Sequence, residues 1–292
     1  MKHEVLRFRA QVMRAVRSFF EEREYLEVDT PVRVKTPALE DHIEAEASGD
    51  HWLRTSPELH MKRMMCAGYE KIFQIGPCFR QGERGHHHLP EYTMLEWYRE
   101  GAESSDLISE TLELLRTVAA GVNQPESGGL HRAAKRISVS EIFLDQAGWD
   151  PVESFDSTRF DLDVVEKVEP WIEQQNCPVI LKDFPKPRAA LARLQPEDSS
   201  VADRWELYLG GLELANAYTE LTDPVEQRRR FVDCATLRQA EGREVYPLDE
   251  DFLAALEEGM PACAGIALGI DRFLMVLTGM EDISDVVAFP ES

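Results

Sequence analysis

The sequence predicts an α+β domain in which helices flank an antiparallel β-sheet. Amphipathic helical patterns begin the chain and recur near its end. Segments in which polar and apolar residues alternate lie between them, as in strands with one solvated face. The elements come in the order strands, helices, an insertion, strands and a helix, and this order favours an antiparallel sheet.

The N-terminal part predicts two helices and several strands. Residues 4–24 carry apolar side chains at helical spacing, which is typical of an amphipathic helix. Ser56 can cap a second helix, which begins at Pro57 and ends at Gly68. The strands predicted here are a short one over 25–34 that ends at Pro31, a pair over 41–48 and 51–57, and two longer ones over 71–83 and 91–98.

The remainder of the chain contains one irregular segment between regular elements. Residues 121–136 have the composition of a loop, and about 121–200 predicts an insertion of helices and loops within one domain spanning 1–292. The elements predicted elsewhere are helices over 104–121, 224–242 and 249–259, strands over 205–221, and a Gly-broken strand that runs into a helix over 264–279.

The composition is that of a soluble globular protein, with 43% hydrophobic and 29% charged residues. The longest apolar runs are too short to span a bilayer, and the N-terminus lacks the apolar core of a signal peptide. The five cysteines have no paired spacing, which predicts reduced thiols in a cytoplasmic protein.

The charge balance bears on partners, because 32 basic and 54 acidic residues give a net charge of −22. A protein that depends on a nucleic-acid backbone clusters its lysines and arginines. The only basic runs here lie at 131–136 and 228–230. The composition therefore argues against a large tRNA-binding surface and leaves a local basic patch open.

Residues 79–98 combine a charged loop with a strand and contain the three consecutive histidines 86–88. Neighbouring side chains of an extended segment point in opposite directions, and no zinc-type spacing accompanies them, so a metal site is disfavoured. The strand places Glu96 and Tyr98 on one face. Inward acids beside Arg80 predict a pocket for a cation next to a phosphate-binding arginine.

A second group of acids lies on the strand "GLELANAYTEL". Asn216, Tyr218 and Glu220 share one face, and Glu213 lies seven residues before Glu220. Acids on one strand face are costly to bury unless they hold a cation, either Mg²⁺ with phosphate oxygens or a substrate ammonium. In "GIALGIDRFLM" the glycines allow a ligand close to the backbone, and Arg272 begins a helix where it can meet a phosphate.

Together these segments resemble the signature motifs of class II aminoacyl-tRNA synthetases. "YLEVDTP" resembles motif one, "FRQGE" with "PEYTMLEWY" motif two, and "GIALGIDR" motif three, while "SPELHMKR" and "ELANAYTEL" resemble the lysyl branch and its short paralogues. The resemblance is strongest over 26–100 and 203–289. It implies a class II catalytic core over 1–292 without an anticodon-binding OB domain, because the motif-one helix starts at the first residues.

The resemblance implies an ATP-dependent reaction in two steps. The carboxylate of β-lysine or lysine attacks the α-phosphate of ATP, and an acceptor amine then attacks the activated carbonyl. In the short paralogues the acceptor is a lysine ε-amine of translation elongation factor P. The resemblance further implies Mg²⁺ as a cofactor and a homodimer formed through residues around 8–31.

The implied roles of individual residues follow from the matched motifs. The implied catalytic residues are Arg80, Arg272 and Glu213. The implied contacts of ATP are Arg80, Glu83, His88, Glu213, Leu214, Gly269 and Arg272. The implied contacts of the amino acid are Ser56, Glu58, Glu96, Tyr98, Asn216, Tyr218, Glu220 and Ala267, and the implied Mg²⁺ ligands are Glu213 and Glu220.

Three positions depart from the pattern of the family. Gly82 replaces the usual glutamate of motif two, so that Glu83 is the substitute for adenine recognition. Leu89 replaces a common asparagine, so that one ATP contact is either lost or moved to His88. Ala267 stands where lysyl-tRNA synthetases generally have glycine, and its methyl group could favour β-lysine over α-lysine by about 1–3 kcal/mol.

Two other functions remain open at this point. The first is a minimal synthetase that charges tRNA without its own anticodon domain. The second is a catalytically silent paralogue that binds an amino acid or a protein. Retention of Arg80, Glu213, Glu220 and Arg272 argues against the silent paralogue, because a binding module has no need of an Mg²⁺-binding acid.

Overall fold

The main sheet has eight strands in the computed structural model, which describes residues 2–40 and 43–290. The strands are β1 (Leu26–Glu27), β2 (Arg33–Val34), β3 (Ala47–Ser48), β4 (His51–Leu53), β5 (Lys71–Phe79), β6 (Glu91–Glu100), β7 (Lys135–Ser138), β8 (Val179–Pro185), β9 (Val201–Leu209), β10 (Leu212–Thr219) and β11 (Cys263–Gly269). The helices are α1 (Lys2–Glu21), α2 (Glu58–Cys66), α3 (Ser104–Gly121), α4 (Val139–Gln146), α5 (Ser157–Asp163), α6 (Glu169–Glu173), α7 (Pro224–Ala240), α8 (Glu250–Glu258) and α9 (Ile270–Thr278).

The strand order of the main sheet is β1-β5-β6-β11-β10-β9-β8-β7. The neighbouring strands in the order β5-β6-β11-β10-β9-β8 all pair antiparallel. The outermost pairs, β1 with β5 and β7 with β8, are parallel. The predicted α+β class with an antiparallel sheet is therefore confirmed, and the parallel pairs at its two edges are additions. A separate small sheet pairs β2, β4 and β3.

The predicted elements agree with the structure except in three regions. The single strand predicted over 25–34 is two short strands, β1 in the main sheet and β2 in the small sheet. The strand predicted over 41–48 is reduced to β3, and its first two residues lie outside the described residues. The segment 121–200 contributes α4 to α6, as predicted, but also β7 and β8 of the main sheet. Both strands were missed because β7 has only four residues and β8 is a short apolar run. That this segment is an insertion stays a prediction.

The main sheet has one apolar face and one polar face, and this difference positions the site. Leu95 and Trp97 of β6 belong to the core shared with α1 and α3, where the Phe20 ring stacks on Phe73 with centroids 4.6 Å apart. Because strand side chains alternate, the intervening residues of β6 face the opposite side. That side carries the acids described below.

None of the cysteines in the part of the chain that the structure describes forms a disulfide. Within the described part of the chain, no helix combines the length and apolarity needed to cross a membrane.

A buried arginine attaches the segment before β3 to α7. Arg238 is fully buried, donates to the carbonyl oxygens of Glu40 and Ile43 at 2.8 and 3.0 Å, and pairs with the Glu44 carboxylate at 2.5 Å. It also donates to the Glu244 carbonyl at 2.7 Å. Because Glu40 lines the cavity described below, Arg238 fixes one wall of that cavity from outside it.

We expect Arg238→Met to lower the free energy of unfolding by about 3 kcal/mol, because it leaves a carboxylate and three carbonyls without their donor. Arg228→Met on the same helix is the control, since Arg228 is exposed and pairs only with Glu250. Urea unfolding of both variants checks the prediction. Equal losses of stability in the two variants would contradict it.

Candidate active site

Small residues of the central strand β11 form the floor of a cleft. Gly265 lies opposite Tyr98 of β6 and Tyr218 of β10, and Ala267 lies opposite Glu96 and Asn216. A Cβ atom on Gly265 would lie 2.2 Å from Cε1 of Tyr98, so only glycine allows the tyrosine ring to cross β11. Long polar side chains on the flanking strands therefore enclose a space above the small ones.

This space is a cavity of about 210 Å³, and it collects every site residue that the sequence analysis named. The fifteen residues are Ser56, Glu58, Arg80, Glu83, His88, Glu96, Tyr98, Glu213, Leu214, Asn216, Tyr218, Glu220, Ala267, Gly269 and Arg272. Their common location is thus a property of the fold, while the role of each residue stays a prediction.

Three carboxylates line one end of the cavity, and a buried ammonium group pairs with two of them. The Lys62 Nζ lies 2.5 Å from Oε1 of Glu58 and 2.6 Å from Oε2 of Glu220. Both Lys62 and Glu220 are almost completely buried. Glu58 is one turn before Lys62 on α2, so the helix itself sets this pair.

The third carboxylate, Glu96, accepts two hydrogen bonds from neutral hydroxyls. The Ser56 Oγ and the Tyr98 hydroxyl donate to its two oxygens, each at 2.7 Å. The same Ser56 Oγ accepts from the backbone N–H of Glu58 at 3.0 Å and so connects the start of α2 to β6. Ser56 thus orders two acids at once.

These acids lie in a desolvated place, which disfavours their ionised forms. Burial, followed by the neighbouring Glu58, raises the pKa of Glu96 to about 8. Burial also raises the pKa of Glu220 to about 7, although Lys62 opposes the shift. Burial alone would lower the pKa of Lys62, but the carboxylates of Glu220 and Glu58 outweigh it and raise that pKa. With all four groups ionised the net charge is −2, which attracts cationic ligands.

The other end of the cavity contains two arginines, Arg80 and Arg272. Arg80 is partly buried, lies over the Tyr92 ring at 5.2 Å, and comes within 3.6 Å of Glu83. Its Nε has no hydrogen-bond partner among the described residues. A buried guanidinium N–H that faces a cavity without an acceptor suits an anionic ligand such as a phosphate.

Arg272, at the start of α9, is held by the loop of three histidines. Its guanidinium donates to the carbonyls of Glu213 and His87 at 2.8 and 3.3 Å and contacts Nε2 of His88 at 2.6 Å. Burial and then Arg272 lower the pKa of His88. His86, outside the cavity, contacts Asp282 at 3.0 Å. The histidines therefore have protein partners and link motif two to α9.

A β-bulge brings Glu213 into the cavity. The pairing of β10 with β9 shifts between Glu213 and Ala215, so Leu214 is an extra residue. Strict alternation would have turned Glu213 away from Asn216, and the bulge restores a shared face. Leu214 lines the cavity while its side chain is buried in the core.

The acids fit Mg²⁺ only in part. Glu213 is half exposed and lies 3.8 Å from Arg272, so its carboxylate is open to a hard cation. Glu220 has no exposed side-chain surface and pairs with Lys62. In residues 2–40 and 43–290 no group of three or more His, Cys, Asp or Glu residues could hold a metal ion. Mg²⁺ would thus take most of its ligands from phosphates and water, and the assignment of Glu220 as a ligand stays a prediction.

Sequence reasoning missed two buried charges that support the site. Lys62 lies in the motif "SPELHMKR", but a lysine on an amphipathic helix is typical of a solvated face. Asp271 is buried, pairs with Arg9 of α1 and accepts from the Thr93 backbone N–H at 2.6 Å. Its position immediately before Arg272 was the available signal, and through it α1 and β6 fix the start of α9.

A sheet with an acidic pocket beside two arginines, one from motif two and one from the last helix, defines a class II aminoacyl-tRNA synthetase domain. The family model described as tRNA synthetases class II (D, K and N) matches residues 1–292, and the chain belongs to this family.

Curated relatives narrow the comparison. A protein of Vibrio atlanticus (strain LGP32), named elongation factor P–(R)-beta-lysine ligase, is 39% identical over 317 residues, covering 98% of this chain and 95% of the relative. Relatives of the same name from Proteus mirabilis (strain HI4320) and Haemophilus influenzae (strain PittGG) are each 39% identical, over 97% and 96% of this chain and 93% of each relative.

We expect the affinity for a cationic amino acid to rise with pH up to about 8, because Glu96 must lose its proton to face an ammonium group. Below pH 8 the dissociation constant should fall roughly tenfold per pH unit for one proton released. Calorimetry in buffers of different ionisation enthalpy measures both the dissociation constant and the number of protons released on binding. Glu96→Gln is the control and should bind weakly without this pH dependence; an affinity of the wild type that is constant from pH 6 to 8 would contradict the assignment.

Proposed function

We propose that this protein uses ATP to activate (R)-β-lysine, or lysine, and transfers it to a lysine ε-amine of translation elongation factor P. The observation that carries the proposal is one cavity lined by Glu58, Glu96, Glu220 and Arg80, in which Lys62 pairs with Glu58 and Glu220. The names of the relatives support elongation factor P as the acceptor.

The acidic end of the cavity suits an amino acid with two ammonium groups. When all three carboxylates are ionised, their charge together with that of Lys62 is −2, which two cations neutralise and one does not. Glu58 and Glu96 are proposed to face the amino group nearest the carboxylate, and Tyr98 and Glu220 the distal one. Asn216 is proposed to orient the carboxylate of the amino acid, and Tyr218 is proposed to cover its aliphatic chain.

The basic end suits the phosphates of ATP. Arg80 is proposed to contact the α-phosphate and the substrate carboxylate, and Arg272 the terminal phosphates. Glu213 is the proposed protein ligand of Mg²⁺, which when bound neutralises charge on the phosphates. Gly269 is proposed to allow the nucleotide close to the backbone, since the nearest atom to its missing Cβ is 3.9 Å away.

Both steps balance with these groups alone. In the first, a carboxylate oxygen bonds to the α-phosphorus and the bond to pyrophosphate breaks. In the second, the neutral ε-nitrogen bonds to the carbonyl carbon, the C–O bond to AMP breaks, and the nitrogen releases a proton. Positioning and charge stabilisation account for the catalysis, with no protein nucleophile.

The departures in motif two have local explanations that support the proposed contacts of ATP. Gly82 has a φ of +77°, which a glutamate would adopt only with strain. Glu83 follows it and lines the cavity, so it is the proposed substitute at the adenine. Leu89 packs against the apolar core, and His88 is the proposed polar contact at this position.

The remaining parts of the proposal concern the oligomeric state and the cellular location of the protein. A homodimer through residues around 8–31 and a cytoplasmic location follow from the family resemblance and the unpaired cysteines. The charge of −22 supports a protein acceptor over tRNA.

We expect an intact-mass assay with Mg²⁺-ATP, β-lysine and elongation factor P to show a gain of one lysyl unit on the factor. ATP–pyrophosphate exchange without the factor measures the first step separately. Charged tRNA together with an unmodified factor would instead identify a minimal lysyl-tRNA synthetase. Absence of exchange would identify a silent paralogue.

We expect Ala267→Gly to shift the preference from β-lysine towards α-lysine. The methyl group lies on the cavity floor opposite Glu96 and Asn216, and one methyl contributes about 1–3 kcal/mol of discrimination. The ratio of kcat/KM for the two amino acids in the exchange reaction should change by about tenfold or more. An unchanged ratio would remove Ala267 from the determinants of specificity.

A further inference from the structure

A second cavity adjoins the active site and is larger, at about 620 Å³. It lies between α7 and the segment 186–191. Six side chains line both cavities: Glu40, Glu58, Arg80, Glu213, Asn216 and Tyr218. The shared wall therefore includes the groups proposed to hold the carboxylate and the α-phosphate.

The wall of this second cavity is held in place by two arginines. Arg230 of α7 donates to the carbonyls of Ala190 and Ala192, each at 2.8 Å. Arg204 of β9 donates to the carbonyl of Arg188 at 2.7 Å. These bonds join the segment 186–191 to a helix and to the sheet, so the cavity is preformed.

One polar side chain that lines the second cavity makes no side-chain hydrogen bond to the described residues. Gln227 of α7 has no exposed surface, and neither atom of its amide group has a hydrogen-bond partner among the described residues. A buried amide without partners destabilises a fold unless a ligand supplies them. One donor beside one acceptor is the pairing pattern of a peptide group.

Resting on the proposed function, we propose that the second cavity is the acceptor site, which admits the target lysine and binds its backbone through Gln227. The acceptor amine must reach the activated carbonyl at the shared wall, and this cavity opens onto that wall. Its volume exceeds that of the active-site cavity, which suits a chain segment and not only an amine.

The charge of the cavity favours a protein over a nucleic acid. Its lining contains six acidic and six basic side chains, so it offers no excess positive charge to a phosphate backbone. Glu206 and Glu213 lie towards the shared wall on β9 and β10, where carboxylates attract an incoming ammonium. An acceptor that presents a lysine meets both conditions.

The test is Gln227→Met, which keeps the volume of the side chain and removes its amide. Gln239→Met is the matched control, because Gln239 is exposed on the same helix. Three rates are measured for each variant: ATP–pyrophosphate exchange, trapping of the activated amino acid by hydroxylamine, and transfer to elongation factor P. Hydroxylamine needs the carbonyl but no peptide contact.

We expect Gln227→Met to retain exchange, hydroxamate formation and thermal stability. Its kcat/KM for elongation factor P should fall about tenfold, mostly through KM, because two hydrogen bonds to the acceptor are lost. Transfer within twofold of the wild type would overturn the inference, as would a fall in hydroxamate formation as large as the fall in transfer. A wild-type enzyme that performs exchange but never modifies the factor would refute the proposed function itself.

Discussion

The active site depends on the burial of Lys62 between Glu58 and Glu220. Three carboxylates in a desolvated pocket would repel one another strongly, and a single ammonium on α2 compensates part of that charge. Because this compensation is incomplete, the pocket favours the binding of further cations from outside the protein. In this arrangement the protein carries part of the counter-charge and the substrate supplies the rest, so that electrostatic stability and recognition are coupled.

The sheet makes this arrangement possible by dividing its two faces. On one side β6 contributes Trp97 to an aromatic cluster with Phe20, which stabilises the sheet through apolar burial. On the other side its alternate residues are free to be acidic, provided that the neighbouring strand has small side chains. Gly265 and Ala267 meet that condition, and the cavity exists because β11 leaves it open.

Much of this could be predicted from the sequence, because periodicity and motif content are local properties. The helices, the central antiparallel strands and the common location of the site residues follow from them. The bulge at Leu214, the Lys62 pair and the parallel edges could not, since each depends on which segment lies opposite. Strand β8 shows the limit, because a short apolar run has no periodicity that separates a strand from a buried helix.

The shared wall of the two cavities gives the two half-reactions an order. Groups proposed to hold the carboxylate and the α-phosphate face both spaces, so an amine in the second cavity would meet an electrophile only after the adenylate has formed. Before that, the same wall presents carboxylates, which attract an ammonium but do not react with it. An acceptor lysine could therefore occupy its cavity early without interfering with activation. Selectivity between a protein and other amines would then rest on contacts remote from the carbonyl. Gln227, which lines the second cavity, is a buried group whose amide has no hydrogen-bond partner among the described residues.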